Sequence, residues 1–153
     1  MKINLDNQKT SAQAVTKICY NEETRNLDFK ITCEGLKDLE KCVKIIKTYN
    51  EFDYKIINQA LEDHAGIEKY YNEKNPNNGE NILKFDIGRE GSPVMYIKLS
   101  NFSGNTYMAN GKVEEYTREM FKKDMNILAK ITNVSECDFD QNGGYYVCRL
   151  WWD

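Results

Sequence analysis

The chain has 153 residues, of which 41% are hydrophobic and 29% charged, with a formal net charge of −3. That is enough chain for one domain with its own core, and apolar residues spread along its whole length argue against disorder. The 21 basic and 24 acidic residues are interleaved, so no basic stripe is offered to a nucleic-acid backbone, and no apolar run is long enough to span a membrane.

The first residues, 1–12, are polar and read as an arm. They contain no apolar signal region, and the expected location is the cytoplasm. Ala14 to Tyr20 is expected to be a strand, followed by a polar turn from Asn21 to Asn26. Leu27, Phe29, Ile31 and Cys33 then alternate with polar residues, the mark of a half-buried strand. The two segments together predict a hairpin.

Gly35 breaks the pattern. After it, Leu36, Leu39, Cys42, Val43, Ile46 and Tyr49 recur at helical spacing with lysines between them. A second helix is expected from Asp53, with Ile56, Ile57, Ala60, Leu61, His64 and Ile67 on its stripe, and Asn75 to Gly79 ends it. Ile82 to Ile87 and Val94 to Leu99 form the next hairpin, joined through Arg89 to Pro93. Asn101 to Gly111 reads as a polar loop carrying Phe102, Tyr107 and Met108. A long helix from Lys112 to Ile131 should bury Val113, Tyr116, Met120, Phe121, Leu128 and Ile131. The chain closes with strands Val134 to Phe139 and Tyr145 to Trp152 around the Asn142-Gly143 turn. The predicted order is ββααββαββ. It makes a single α+β domain, residues 1–153, with a mainly antiparallel sheet of about six strands and helices on one face.

Chemistry is hard to find in this sequence. His64 is the only histidine, and a polar residue flanking a helical stripe accounts for it better than a lone general base does. The cysteines are Cys19, Cys33, Cys42, Cys137 and Cys148; they have neither C-x-x-C spacing nor a histidine pair, so the expectation is five reduced thiols and no metal or other cofactor. Asp138, Asp140 and Asn142 alternate as in a calcium loop but lack its glycine and closing glutamate, and a hairpin explains them better. The glycines lie between strands, where they make turns and cradle no phosphate.

The last strand carries the most information. Tyr146, Cys148, Leu150 and Trp152 share one face; Tyr145, Val147, Arg149 and Trp151 share the other. The first face belongs to the core. The second is covered either by the same chain, as in a central strand, or by a partner or a second copy, since Tyr, Trp and Arg dominate interface hot spots. Binding candidates are therefore Tyr145, Arg149 and Trp151, with Phe102 and Tyr107 from the loop.

Heavy use of Asn, Lys, Ile, Tyr and Glu matches the coding bias of an AT-rich genome, that of a low-GC bacterium or its mobile elements. The expectation is a non-enzymatic binding protein of phage or mobile-element origin. It would occupy a partner protein's surface, as anti-CRISPR-like inhibitors of host defence and toxin-immunity proteins do. Two alternatives stand beside it. One is an oligomer that sequesters a small ligand or nucleotide, with Arg149 or Arg118 on the phosphate. The other is an enzyme with a cysteine nucleophile.

Overall fold

A computed structural model describes residues 10–48, 51–63, 81–100, 106–109 and 112–153. His64, Ile67, Tyr49 and Phe102, each singled out above, lie outside the described residues, as does most of the expected arm. The fold is α+β: among the described residues there are four helices and a five-stranded antiparallel sheet, where about six strands were expected.

The largest departure from the sequence reading is at the start. Residues expected to form the first strand are a helix, α1 (Ser11–Cys19), and the first hairpin does not form. Thr10 and Gln13 build a capping box: Thr10 Oγ1 accepts from Gln13 N–H and Gln13 Oε1 accepts from Thr10 N–H, each at 3.1 Å. Ala14, Val15 and Ile18 are buried at helical spacing. The alternating strand exists as β1 (Phe29–Cys33), and its partner is β2 (Leu83–Glu90), with Ile31 opposite Ile87.

Helix α2 (Leu36–Ile46) buries Leu36, Leu39, Cys42 and Val43, as its spacing predicts. Helix α3 (Tyr54–Asp63) is capped by Asp53, whose Oδ1 accepts from Lys55 N–H at 3.0 Å. It buries Ile57, Ala60 and Leu61 but leaves Ile56 exposed. The hairpin of β2 with β3 (Ser92–Ser100) turns at Gly91, whose φ of +75° suits glycine. Asp28 Oδ1 holds the Gly91 amide at 2.9 Å.

Within the expected loop and the first part of the expected long helix, the described residues form a separate ribbon instead, β4 (Thr106–Ala109) against β5 (Lys112–Glu115). Helix α4 (Arg118–Ile131) therefore starts later, at a cap provided by Thr117. Phe121, Met125, Leu128 and Ala129 face inward, whereas Met120 and Ile131 are exposed; Tyr116 is buried just ahead of the helix. The chain ends in β6 (Glu136–Asn142) and β7 (Tyr145–Trp151).

Strand order is β1-β2-β3-β7-β6, with β3 in the middle. The pleat sorts the side chains. Ile31, Phe85, Ile87, Met95, Ile97, Cys148 and Leu150 join the core that the helices fill; Val94 and Val147, buried on the opposite side, stay outside that core. Helices α1 and α2 lie along the β1 side and α4 along the β6 and β7 side, so the helices cover one face, and among the described residues no helix packs on the other, open face. No helix among the described residues is long and apolar enough to cross a membrane.

Backbone approach is closest at Gly88, where an added Cβ would stand 2.0 Å from the Phe29 carbonyl oxygen. Gly91 has open space around it. Gly88→Ala should therefore cost more than about 2 kcal/mol by forcing β1 away, while Gly91→Ala should cost about 1 kcal/mol from backbone strain alone. Urea denaturation of the two variants measures both; equal losses would show that β1 does not press on Gly88.

Candidate functional site

Cross-strand register arranges the open face in rows. One row runs Lys30, Gly88, Val94, Trp151, Glu136; the next runs Thr32, Asp86, Tyr96, Arg149, Asp138. A third holds Lys84, Lys98, Val147 and Asp140.

Arg149 is the hub. Its Nε lies 3.3 Å from Glu90 Oε1, and its Nη1 lies 2.9 Å from Glu136 Oε2 and 3.2 Å from Asp138 Oδ2. Burial alone would pull the guanidinium pKa down, but the hydrogen bonds to Glu136 and Glu90 more than offset it, and the net shift is upward. The guanidinium also stands over the Trp151 ring, 5.9 Å from its centroid. Trp151 is fixed in turn, because its Nε1 donates to the Glu90 carbonyl at 2.9 Å.

Tyr96 completes the centre. Its hydroxyl donates to Glu90 Oε1, and Lys30 Nζ lies over its ring at 5.1 Å. Burial, then the Glu90 contact, raise its pKa. Lys98 pairs with Asp86, a carboxylate 1% exposed, at 2.5 Å. Lys84 Nζ donates to the Tyr145 hydroxyl at 2.6 Å. A groove of about 320 Å³ crosses this surface, with Lys30, Tyr96 and Lys98 on one wall, Asp138 and Asp140 on the other, and Arg149 between them.

Three of the residues singled out from sequence thus meet on the open face: Tyr145, Arg149 and Trp151, each half-buried. Tyr107 is not in a loop; its backbone belongs to β4. Asp138, Asp140 and Asn142 alternate because they share one side of a regular strand, and Asp138 is committed to Arg149. Sequence reasoning missed Tyr96, Lys98 and Glu90. The alternation from Val94 to Lys98 is visible in the sequence, but the neighbour relation of β3 and β7 is not.

The cysteines form two close pairs elsewhere. Sγ atoms of Cys33 and Cys42 are 4.0 Å apart, and those of Cys137 and Cys148 are 3.9 Å apart; all five thiols are free. Within each pair the contact splits the titration. Cys33 is pushed up by its bond to Cys42 and by burial, and Cys148 by its bond to Cys137 and by burial. Cys42 and Cys137 are lowered by the same contacts, and Cys42 is fully buried. Neither thiol of the Cys33–Cys42 pair is presented to solvent.

No protein family, no curated protein and no solved structure matches the chain.

Cys137 is both partly exposed and shifted down, whereas burial pushes partly exposed Cys19 up. Iodoacetamide on the folded protein at neutral pH should therefore modify Cys137 first, then Cys19, and the three buried thiols only after unfolding. Peptide mass mapping over time reads the order; early loss of Cys42 would show that its pocket is open.

Proposed function

We propose that the protein is a non-enzymatic binding protein that acts by protein–protein contact through the open face of its sheet. The observation that carries this reading is the cluster of Tyr96, Arg149 and Trp151, drawn from two neighbouring rows. It is half-exposed and pinned on one side of the sheet, while the helices pack on the other. Trp, Tyr and Arg bring large contact area with few torsions left to freeze. Inhibition of a bacterial defence system or neutralisation of a toxin is the kind of task such a surface performs, and the AT-rich coding pattern fits a phage or mobile-element source.

Each of the two other readings would have to use particular residues. A nucleotide phosphate brought to Arg149 would meet Glu90, Glu136 and Asp138 around the same guanidinium. Arg118 does not help it: this side chain lies over Tyr146, on the core side of the sheet. Cys33, Cys42 and Cys148 are buried, which leaves Cys19 and Cys137 as the thiols a nucleophilic reading would use.

The test separates the two adjacent tryptophans. Trp152 is fully buried and Trp151 is half-exposed. Trp152→Ala should cost about 3–5 kcal/mol and unfold a marginal domain. Trp151→Ala should keep a cooperative melt yet weaken partner binding by about 2 kcal/mol, roughly thirtyfold. A photo-reactive residue at position 96, introduced in cells that encode the protein, captures whatever touches the face; one at position 44 on α2 is the control. Equal capture from both positions, or capture indifferent to Trp151→Ala, would remove the reading.

A further inference from the structure

We infer that the open face fits a second copy of this chain, packed sheet to sheet about a two-fold axis that runs parallel to β3. This rests on the reading of the face as a contact surface and names a partner for it. The argument is one of charge and register. Lys30 stands at the β1 edge and Glu136, Asp138 and Asp140 at the β6 edge; between them β2 carries Lys84, Asp86 and Glu90, β3 carries Lys98 and β7 carries Arg149. Across the strands the face is therefore electrically lopsided, with its largest excess of one sign, the three carboxylates, on β6.

That lopsidedness selects the axis. A two-fold running perpendicular to the strands would lay β6 on β6, carboxylates against carboxylates, and Lys30 towards Lys30. A two-fold parallel to β3 exchanges the edges instead: β1 lies over β6, β2 over β7, and β3 over itself. It leaves positions along the strands unchanged. Lys30 then faces Glu136 of the second copy, because both occupy the row that runs through Val94. Trp151 faces Gly88 of the second copy, a residue with no side chain to displace. Tyr96 meets its own equivalent near the axis, and Thr32 brings a hydroxyl to Asp138.

Twist between packed sheets, about 30°, displaces contacts at the edges by roughly two residues. Carboxylates continue along β6 at Asp138 and Asp140, which absorbs a shift in that direction. Lys98 also meets its equivalent, and its charge is already held by Asp86 at 2.5 Å. Strands about 4.8 Å apart and residues about 3.4 Å along them give a face of roughly 550 Å². Two such faces bury roughly 1,100 Å², at the lower end for a specific interface, so the dimer is a reversible one.

Sedimentation velocity from about 1 to about 200 µM tests this directly, spanning the dissociation constants expected of a small interface. The wild-type chain should shift from monomer towards dimer across that range. Lys30→Glu and Glu136→Lys should each weaken association at least about tenfold, and the two together in one chain should restore it to within about threefold of wild type. Both positions are exposed, and thermal melts check that the variants fold; if Glu136→Lys does not, Asp140→Lys takes its place. A wild type that stays monomeric throughout, or a double variant as weak as the singles, overturns the inference. If that monomer's capture of another protein still falls with Trp151→Ala, the face remains a contact surface and only the second copy is lost. If capture is also indifferent to Trp151, both readings fall together.

Discussion

Trp152 is the contact on which the rest of the molecule depends. It follows the last strand and is fully buried. Its backbone amide donates to the Pro93 carbonyl at 3.0 Å, holding the chain end to the start of β3. Its indole Nε1 donates to the Thr132 carbonyl at 2.9 Å, where α4 ends. Its ring meets Phe52 edge-on, 5.2 Å between centroids, just before α3. One side chain thus joins the sheet to the ends of two helices, and its only polar atom is bonded, so its burial costs nothing in unmet hydrogen bonding. Residues separated by most of the chain converge on it, so these contacts form only after distant segments have come together.

That convergence also sets the side on which the aromatic pair divides. Consecutive residues of an extended chain point to opposite sides. With Trp152 committed to the core, Trp151 must stand on the other face, beside Arg149 and over Val94 in the register. The character of the open face follows from packing on the covered one. Its charged residues then organise themselves: Glu90 receives Tyr96, Arg149 and, through its carbonyl, Trp151. A residue at the end of β2 is therefore what holds the central cluster in place.

The parts of the fold legible in the sequence are those with a clean local period. The strand at Ile31, the stripe of α2, the β2–β3 hairpin and the last hairpin all follow from alternation, helical spacing and glycine turns. The first helix was hidden because Val15, Thr16 and Ile18 are β-branched and suit a strand, although Thr10-Ser11-Ala12-Gln13 spells a capping box. The start of α4 was misjudged because Val113 and Tyr116 continue its spacing backwards, and only Thr117 marks the true cap. For the candidate site, the division of β7 into two faces could be read locally. The neighbours Tyr96, Lys98 and Glu90 could not, because the return of β7 between β3 and β6 is a tertiary choice made by Trp152 and the helices.

The electrostatics of the open face bear on the kind of contact it can make. Carboxylates and cations at a surface usually lose side-chain freedom when a partner arrives, and that loss opposes binding. Here much of it is met on folding. Arg149 is held by Glu90, Glu136 and Asp138, and Trp151 by a backbone carbonyl, before any partner is present. Surface ion pairs of this kind add little to stability, so their effect lies in fixing the shape of the cluster. A partner docked as proposed would meet an aromatic and guanidinium ridge flanked by Lys30 on one edge and the β6 carboxylates on the other. Its orientation is chosen by the edges, since reversing it sets like charges against each other. A face built this way discriminates by direction more than by strength, which suits a contact that must form and release.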